Sequence, residues 1–129
     1  MAIRWDPPDI DEIKESLEDT SNLTLCSTYF IPTRNTLLIT VAVTFPDYAQ
    51  LENGKEIYFA DVNNHIYLSL TPITAAKLYT RSVQQFRQTE TCKYFRIPVP
   101  VQIRKAYKLD LYKNVHLIKQ GDKYECIFI

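Results

Sequence analysis

Glycine is almost missing from this chain: Gly54 and Gly121 are the only two in 129 residues. Each stands in a turn-like context, so a glycine-rich loop that cradles phosphate through clustered backbone N–H groups cannot be assembled. Cysteine is sparse too. Cys26, Cys92 and Cys126 are odd in number, far apart and without C-x-x-C spacing, which argues against a disulfide framework and a zinc knuckle. Each sits in an apolar or β-like stretch and reads as a small buried hydrophobe. The two histidines, His65 and His116, fall in predicted strands with no nucleophile or acid beside them. No constellation of nucleophile, base and orienting group emerges, so neither an enzyme nor a bound cofactor is expected. No apolar run approaches the roughly 18 residues that cross a bilayer. The start, Met1 to Pro8, lacks the apolar core of a signal peptide. A cytoplasmic protein without membrane contact is the expectation.

What is present is a β-rich, lopsidedly charged chain. Hydrophobic residues make up 46% of it, enough for one core, and nine tyrosines are included. The formal net charge is zero, yet residues 1–64 hold four Lys/Arg against eleven Asp/Glu, and residues 65–129 hold eleven against four. The halves therefore carry −7 and +7. A basic half suits contact with nucleic acid or another anionic surface. The same charges also suit two halves that face and neutralise each other.

Pro7 and the Asp9-x-x-Glu12 capping pattern open a short acidic helix, with Ile10, Ile13 and Leu17 on one face. Residues 1–22 are assigned to it. β-formers dominate the first β unit, 23–70, with strands over Leu23–Ile31, Thr36–Phe45, Glu56–Asp61 and His65–Leu70. Val62-Asn63-Asn64 links the last two as a hairpin. Thr71-Pro72 resembles a helix start, and Ala76, Tyr79, Val83 and Phe86 recur at helical spacing, so 71–90 reads as a connecting helix. The second β unit, 91–129, holds Tyr94–Pro98, a short helix at Gln102–Lys108, and a hairpin of Asn114–Lys119 with Lys123–Ile129. Tyr94, Tyr107, Tyr112 and Tyr124 interleave with Lys and Arg. That composition suits stacking of single-stranded bases and equally a half-buried β surface.

Displacing the chain by 58 residues aligns its β-rich portions without a gap. Ile39 falls on Ile97, Val41 on Val99, Leu51 on Leu109 and Lys55 on Lys113. Ile57 and Phe59 fall on Val115 and Leu117, and Asn63-Asn64 on Gly121-Asp122. The pattern suggests a tandem repeat within a single domain spanning 1–129.

The second copy carries a more specific pattern. Arg96-Ile-Pro-Val-Pro100 ends a strand, Ile103-Arg104-Lys105 occupies a one-turn helix, and Leu109-Asp-Leu111 precedes a hairpin around Gly121-Asp122. This order resembles the AbrB/MazE-like swapped-hairpin family over roughly residues 90–129. Phe95 stands where the family usually has glycine before the strand arginine. The resemblance implies a mainly β, α+β fold of two swapped-hairpin-like units with an amino-terminal and a connecting helix. It also implies a transcriptional regulator binding double-stranded DNA through Arg96, Arg104 and Lys105. Lys93, Lys108 and Lys113 would extend the patch. A homodimer or an intrachain pseudo-dimer follows from the same likeness. The reading of a different class is a protein-interaction or inhibitor module that docks a partner through residues 9–19.

Overall fold

Hairpins of alternating side chains make this fold. The computed structural model describes residues 23–75, 77–90 and 92–129; the acidic helix and partner surface expected within residues 1–22 lie outside them. Strands β1 (Leu23–Ile31) and β2 (Thr36–Val41) form one hairpin, and β3 (Glu56–Val62) and β4 (His65–Ser69) a second. The segment β5 (Leu78–Ser82) and β6 (Gln84–Gln88) turns back into β7 (Lys93–Pro98), and β8 (Asn114–Gln120) pairs with β9 (Lys123–Phe128). Asn63 and Asn64 both take positive φ, 49° and 67°, the two-residue turn geometry that matches the twist of its strands.

The strands form one antiparallel sheet in the order β5-β3-β4-β9-β8-β1-β2-β7-β6. Its two edges, β5 and β6, are consecutive in the chain and separated only by Val83. The Val83 N–H donates to the Lys55 carbonyl at 2.8 Å, and its carbonyl accepts from the Gly54 N–H at 2.8 Å. Residues 78–88 thus lie on β3 with their first half and on β7 with their second. The sheet curls into a nearly closed barrel, and edges that would otherwise expose unpaired backbone groups are occupied.

Side chains of one parity point inward. Ile39, Phe59, Leu68, Ile97, Leu117 and Phe128 belong to the buried core they fill. Phe45 and Leu51, between β2 and β3, join that core at one end of the barrel. At the other end Ile103, Tyr107 and Leu109 do so, carried by helix α1 (Val101–Tyr107) and the turn after it. Each plug is tied to a strand by a carboxylate. The Tyr124 hydroxyl on β9 and the Lys119 ammonium on β8, the latter at 3.2 Å, both reach Asp47. The Tyr107 hydroxyl donates to Asp61 on β3 at 2.7 Å. Burial, then the hydrogen bond to Asp61, pushes Tyr107 up to about 12, so it stays a proton donor throughout the neutral range.

The pairings among β2, β3, β4, β7, β8 and β9 repeat under the 58-residue displacement. Ile39 is the register partner of Ile97, and Tyr67 of Glu125, so at the centre of each of these strand pairs a residue meets its own counterpart. β1 lies between β2 and β8, and the segment β5–β6 lies between β7 and β3, with Ser82 opposite Glu56 as Ser27 is opposite Asn114, a displacement of 55 residues for this segment.

Two sequence expectations are corrected. The α+β class with several helices gives way to a mostly β barrel-like sheet, in which α1 is the only α-helix among the described residues. The connecting helix at 71–90 is replaced by β5 and β6. Tyr79 and Val83 are four residues apart, a spacing that is helical but also even, and so serves a strand equally well. The open edges of β3 and β7 supply backbone partners that settle the ambiguity in favour of the strand. Residues 78–88 are therefore strand, paired with β3 and β7.

The core should be most sensitive where the halves meet. Ile39→Ala and Ile97→Ala are each expected to cost about 2–5 kcal/mol. Chemical denaturation of the double variant should depart from additivity, because the two residues are direct partners.

Candidate nucleic-acid interface

Four neighbouring strands, β1, β2, β7 and β6, contain Arg87, Lys93 and Arg96 and not one Asp or Glu. Adjacent strands are about 4.8 Å apart, so their outer surface is a carboxylate-free band about 14 Å across. Register decides which side chains stand on it. Ile97 is a core residue, so Arg96 and Tyr94 point outward. Thr28 pairs with the core residue Ile39, so Tyr29 points outward as well. A β-bulge between Gln85 and Arg87 adds a residue to β6 opposite β7. Bulges re-aim side chains, and here both Phe86 and Arg87 reach partners on β7.

The result is a ladder of cations and rings across the band. The Arg87 guanidinium lies 5.6 Å from the Tyr94 ring centre, and Tyr94 is 6.3 Å from Phe86. Arg96 sits 4.0 Å from the Phe86 centre and 5.7 Å from that of Tyr29. Reaching from β7 to β1, Arg96 crosses β2, where Leu38 is buried although it faces outward. Tyr29 and Phe86 remain 56% and 39% exposed. A guanidinium held against rings keeps its N–H edge available for a phosphate or carbonyl oxygen. The Nε of Arg96 is buried and has no hydrogen-bond partner.

Elsewhere the outer surface carries one further cation–ring contact among the described residues, Lys123 at 4.5 Å from the Tyr67 ring, but beside the Glu125 carboxylate. Ile118 and Ile127 face outward by register, yet only 1% and 0% of their surface is accessible. Glu125 accepts from Gln120 at 3.1 Å and is bonded to the His65 ring at 2.8 Å. The carboxylates of Asp47 and Asp61 hold the plugs. Among the described residues no group of three or more His, Cys, Asp or Glu has metal-binding geometry. Burial pushes the Cys26 thiol up to about 12 and that of Cys126 upward too, so neither is a ready nucleophile.

The six basic residues expected at the site are not brought together. Arg96 lies in the middle of the ladder, and Lys93 is exposed at the start of β7. Lys105 is exposed on α1, Lys108 follows it with φ 53°, and Lys113 is exposed just before β8. Arg104 is a structural residue, only 5% exposed. Its guanidinium donates to Asn35 Oδ1 at 2.7 Å, pairs with Asp110 at 3.5 Å and lies 5.1 Å from the Phe30 ring. Phe30 and Tyr29 are consecutive and face opposite sides of β1, so Arg104 and Arg96 stack on opposite faces of the sheet. Arg104 therefore cannot share a phosphate surface with Arg96.

Tyr29, Phe86 and Arg87 are not among the site residues expected from sequence. A signal for two of them lies there nonetheless: Phe86-Arg87 and Tyr94-Phe95-Arg96 flank a short polar turn, and a hairpin would set them face to face. No family model, curated protein or solved structure matches the chain.

Arg104→Ala is expected to lower stability by about 2–3 kcal/mol, the scale of a charged hydrogen bond removed at a buried site. The variant that remains folded should bind any ligand of the outer face as the wild type does; a thermal melt and a binding titration on the same sample check both halves.

Proposed function

We propose that this protein binds single-stranded nucleic acid on the outer face of β1, β2, β7 and β6. The observation that carries the reading is the Arg87–Tyr94–Phe86–Arg96–Tyr29 ladder on a surface without carboxylates. Exposed rings on a barrel surface offer stacking platforms for unpaired bases, each worth about 1–3 kcal/mol. The guanidinium groups of Arg87 and Arg96 neutralise the phosphates between those bases, with Lys93 at the end of the band. No cofactor enters this reading.

Single strands are favoured over duplex because the rings need base faces, and a duplex hides its base faces in the stack. Regulation through duplex DNA, the reading that the family resemblance implies, retains Arg96 and Lys93 but loses Arg104 to the interior. Lys105, Lys108 and Lys113 lie near the α1 end, outside the ladder, and supply at most a general positive potential.

Fluorescence anisotropy with a labelled ten-nucleotide single strand and its duplex, at two salt concentrations, tests the proposal. The single strand should bind more tightly, with affinity falling as salt rises. Phe86→Ala should weaken it by about 1–3 kcal/mol. Arg87→Ala/Arg96→Ala should reduce the salt slope by about 0.7 for each phosphate that is no longer neutralised. Tighter duplex binding would restore the regulator reading. Absence of binding at low salt by folded protein ends the nucleic-acid reading altogether.

A further inference from the structure

At the Lys93 end of the ladder the barrel surface opens into a cleft of about 360 Å³, near the lower end of the roughly 300–1,000 Å³ typical of small-molecule sites. Its walls come from two places. One is the segment between β2 and β3, with Tyr48, Ala49 and Leu51; the other is the β6–β7 turn, with Gln88, Glu90 and Lys93. Phe95 and Leu51, both buried in the core, lie beneath it, and the rest of the lining mixes polar and apolar groups.

Hydrogen bonds join the two walls of the cleft. The Tyr48 hydroxyl accepts from the Lys93 N–H at 2.8 Å and donates to the Lys93 carbonyl at 2.9 Å, clamping the two walls together. Its ring meets Phe95 edge-on, with centres 5.8 Å apart. The β6–β7 turn is closed by the Thr89 N–H, which donates to the Cys92 carbonyl at 2.7 Å, and by the Cys92 N–H, which donates to Thr89 Oγ1 at 3.1 Å. Glu90, in this turn, forms no salt bridge with any described residue. It is the one carboxylate in the segment from β6 through β7.

Resting on the proposed binding of a single strand, we infer that this cleft receives one unstacked base of that strand and that Glu90 selects for a base with an exocyclic amino group. The chemistry follows from the lining. A cleft that joins the Tyr48 ring to polar side chains, beside a phosphate-binding strip, accepts a base swung out of the stack and reads its edge, as in pockets that read extruded nucleotides. A carboxylate near phosphates is unfavourable unless it accepts hydrogen bonds, and the cytosine N4 amino group is the donor that Glu and Asp accept from. Thymine and uracil present a carbonyl oxygen at that position, which repels the carboxylate. Gln88 at the same cleft carries both a donor and an acceptor for the remaining edge.

The test compares ten-nucleotide oligo-dC and oligo-dT by anisotropy against wild type, Glu90→Ala, Ala49→Trp and Arg96→Ala. Ala49 is exposed, so a tryptophan there fills the cleft without touching the core. Taking the ratio of the two affinities cancels the general electrostatic effect of removing a negative charge. Wild type should prefer oligo-dC by roughly three- to tenfold, within the range of one base-edge contact. Glu90→Ala and Ala49→Trp should bring the ratio to about one while both oligonucleotides still bind. Arg96→Ala should weaken both and keep the ratio. A wild-type ratio of one, or a preference untouched by Glu90→Ala and Ala49→Trp, overturns the cleft inference and leaves the binding face standing. Loss of all binding in wild type removes the face and the cleft together.

Discussion

Two backbone hydrogen bonds at Val83 decide whether the sheet is a barrel or an open ribbon. The residue's N–H and carbonyl lock onto Lys55 and Gly54 between two stretches of strand pairing. Without the continuous run of residues 78–88 across that junction, β3 and β7 would each present an unpaired edge. Val83 also belongs to the buried core. Packing and hydrogen bonding therefore enforce the same geometry at one position, and neither has to be traded against the other.

The ladder on the outer face depends on this closure. Phe86 and Arg87 belong to β6, and β6 is held against β7 only because residues 78–88 run on from β5 across Val83. The bulge between Gln85 and Arg87 then turns both side chains toward β7. Individually each cation–ring contact is worth only about 0.5–1 kcal/mol at an exposed site, too little to define a strand. The order is the reverse: the barrel fixes the backbone, and the backbone lines up the rings and guanidinium groups. Polar groups that could compete for a ligand are withdrawn at the barrel's ends, where Asp47 and Asp61 are occupied in holding the plugs.

How much is legible from sequence varies by element. The β3–β4 and β8–β9 hairpins show themselves through alternating apolar residues around Asn63-Asn64 and Gly121-Asp122. The segment 71–90 reads wrongly as a helix because Ala76, Tyr79, Val83 and Phe86 satisfy a helical repeat, while the edges that claim it as strand come from distant parts of the chain. Arg104 shows a similar limit. On helix α1 Ile103, Arg104 and Lys105 point in different directions, and the inward Arg104 is held by Asn35, 69 residues earlier. Arg96 is visible as a basic strand residue, but Tyr29, which meets its guanidinium, belongs to the first strand of the barrel. No local pattern joins them.

Amide hydrogen exchange followed by NMR tests the closure most directly. If residues 78–88 complete the barrel, the amides of Val83 and Gly54 exchange only through global unfolding, with protection equal to that of core amides in β8 and β9. If those two amides exchange readily while β8 and β9 stay protected, the sheet is open at that point in solution. The physical basis for aligning the ladder is then gone.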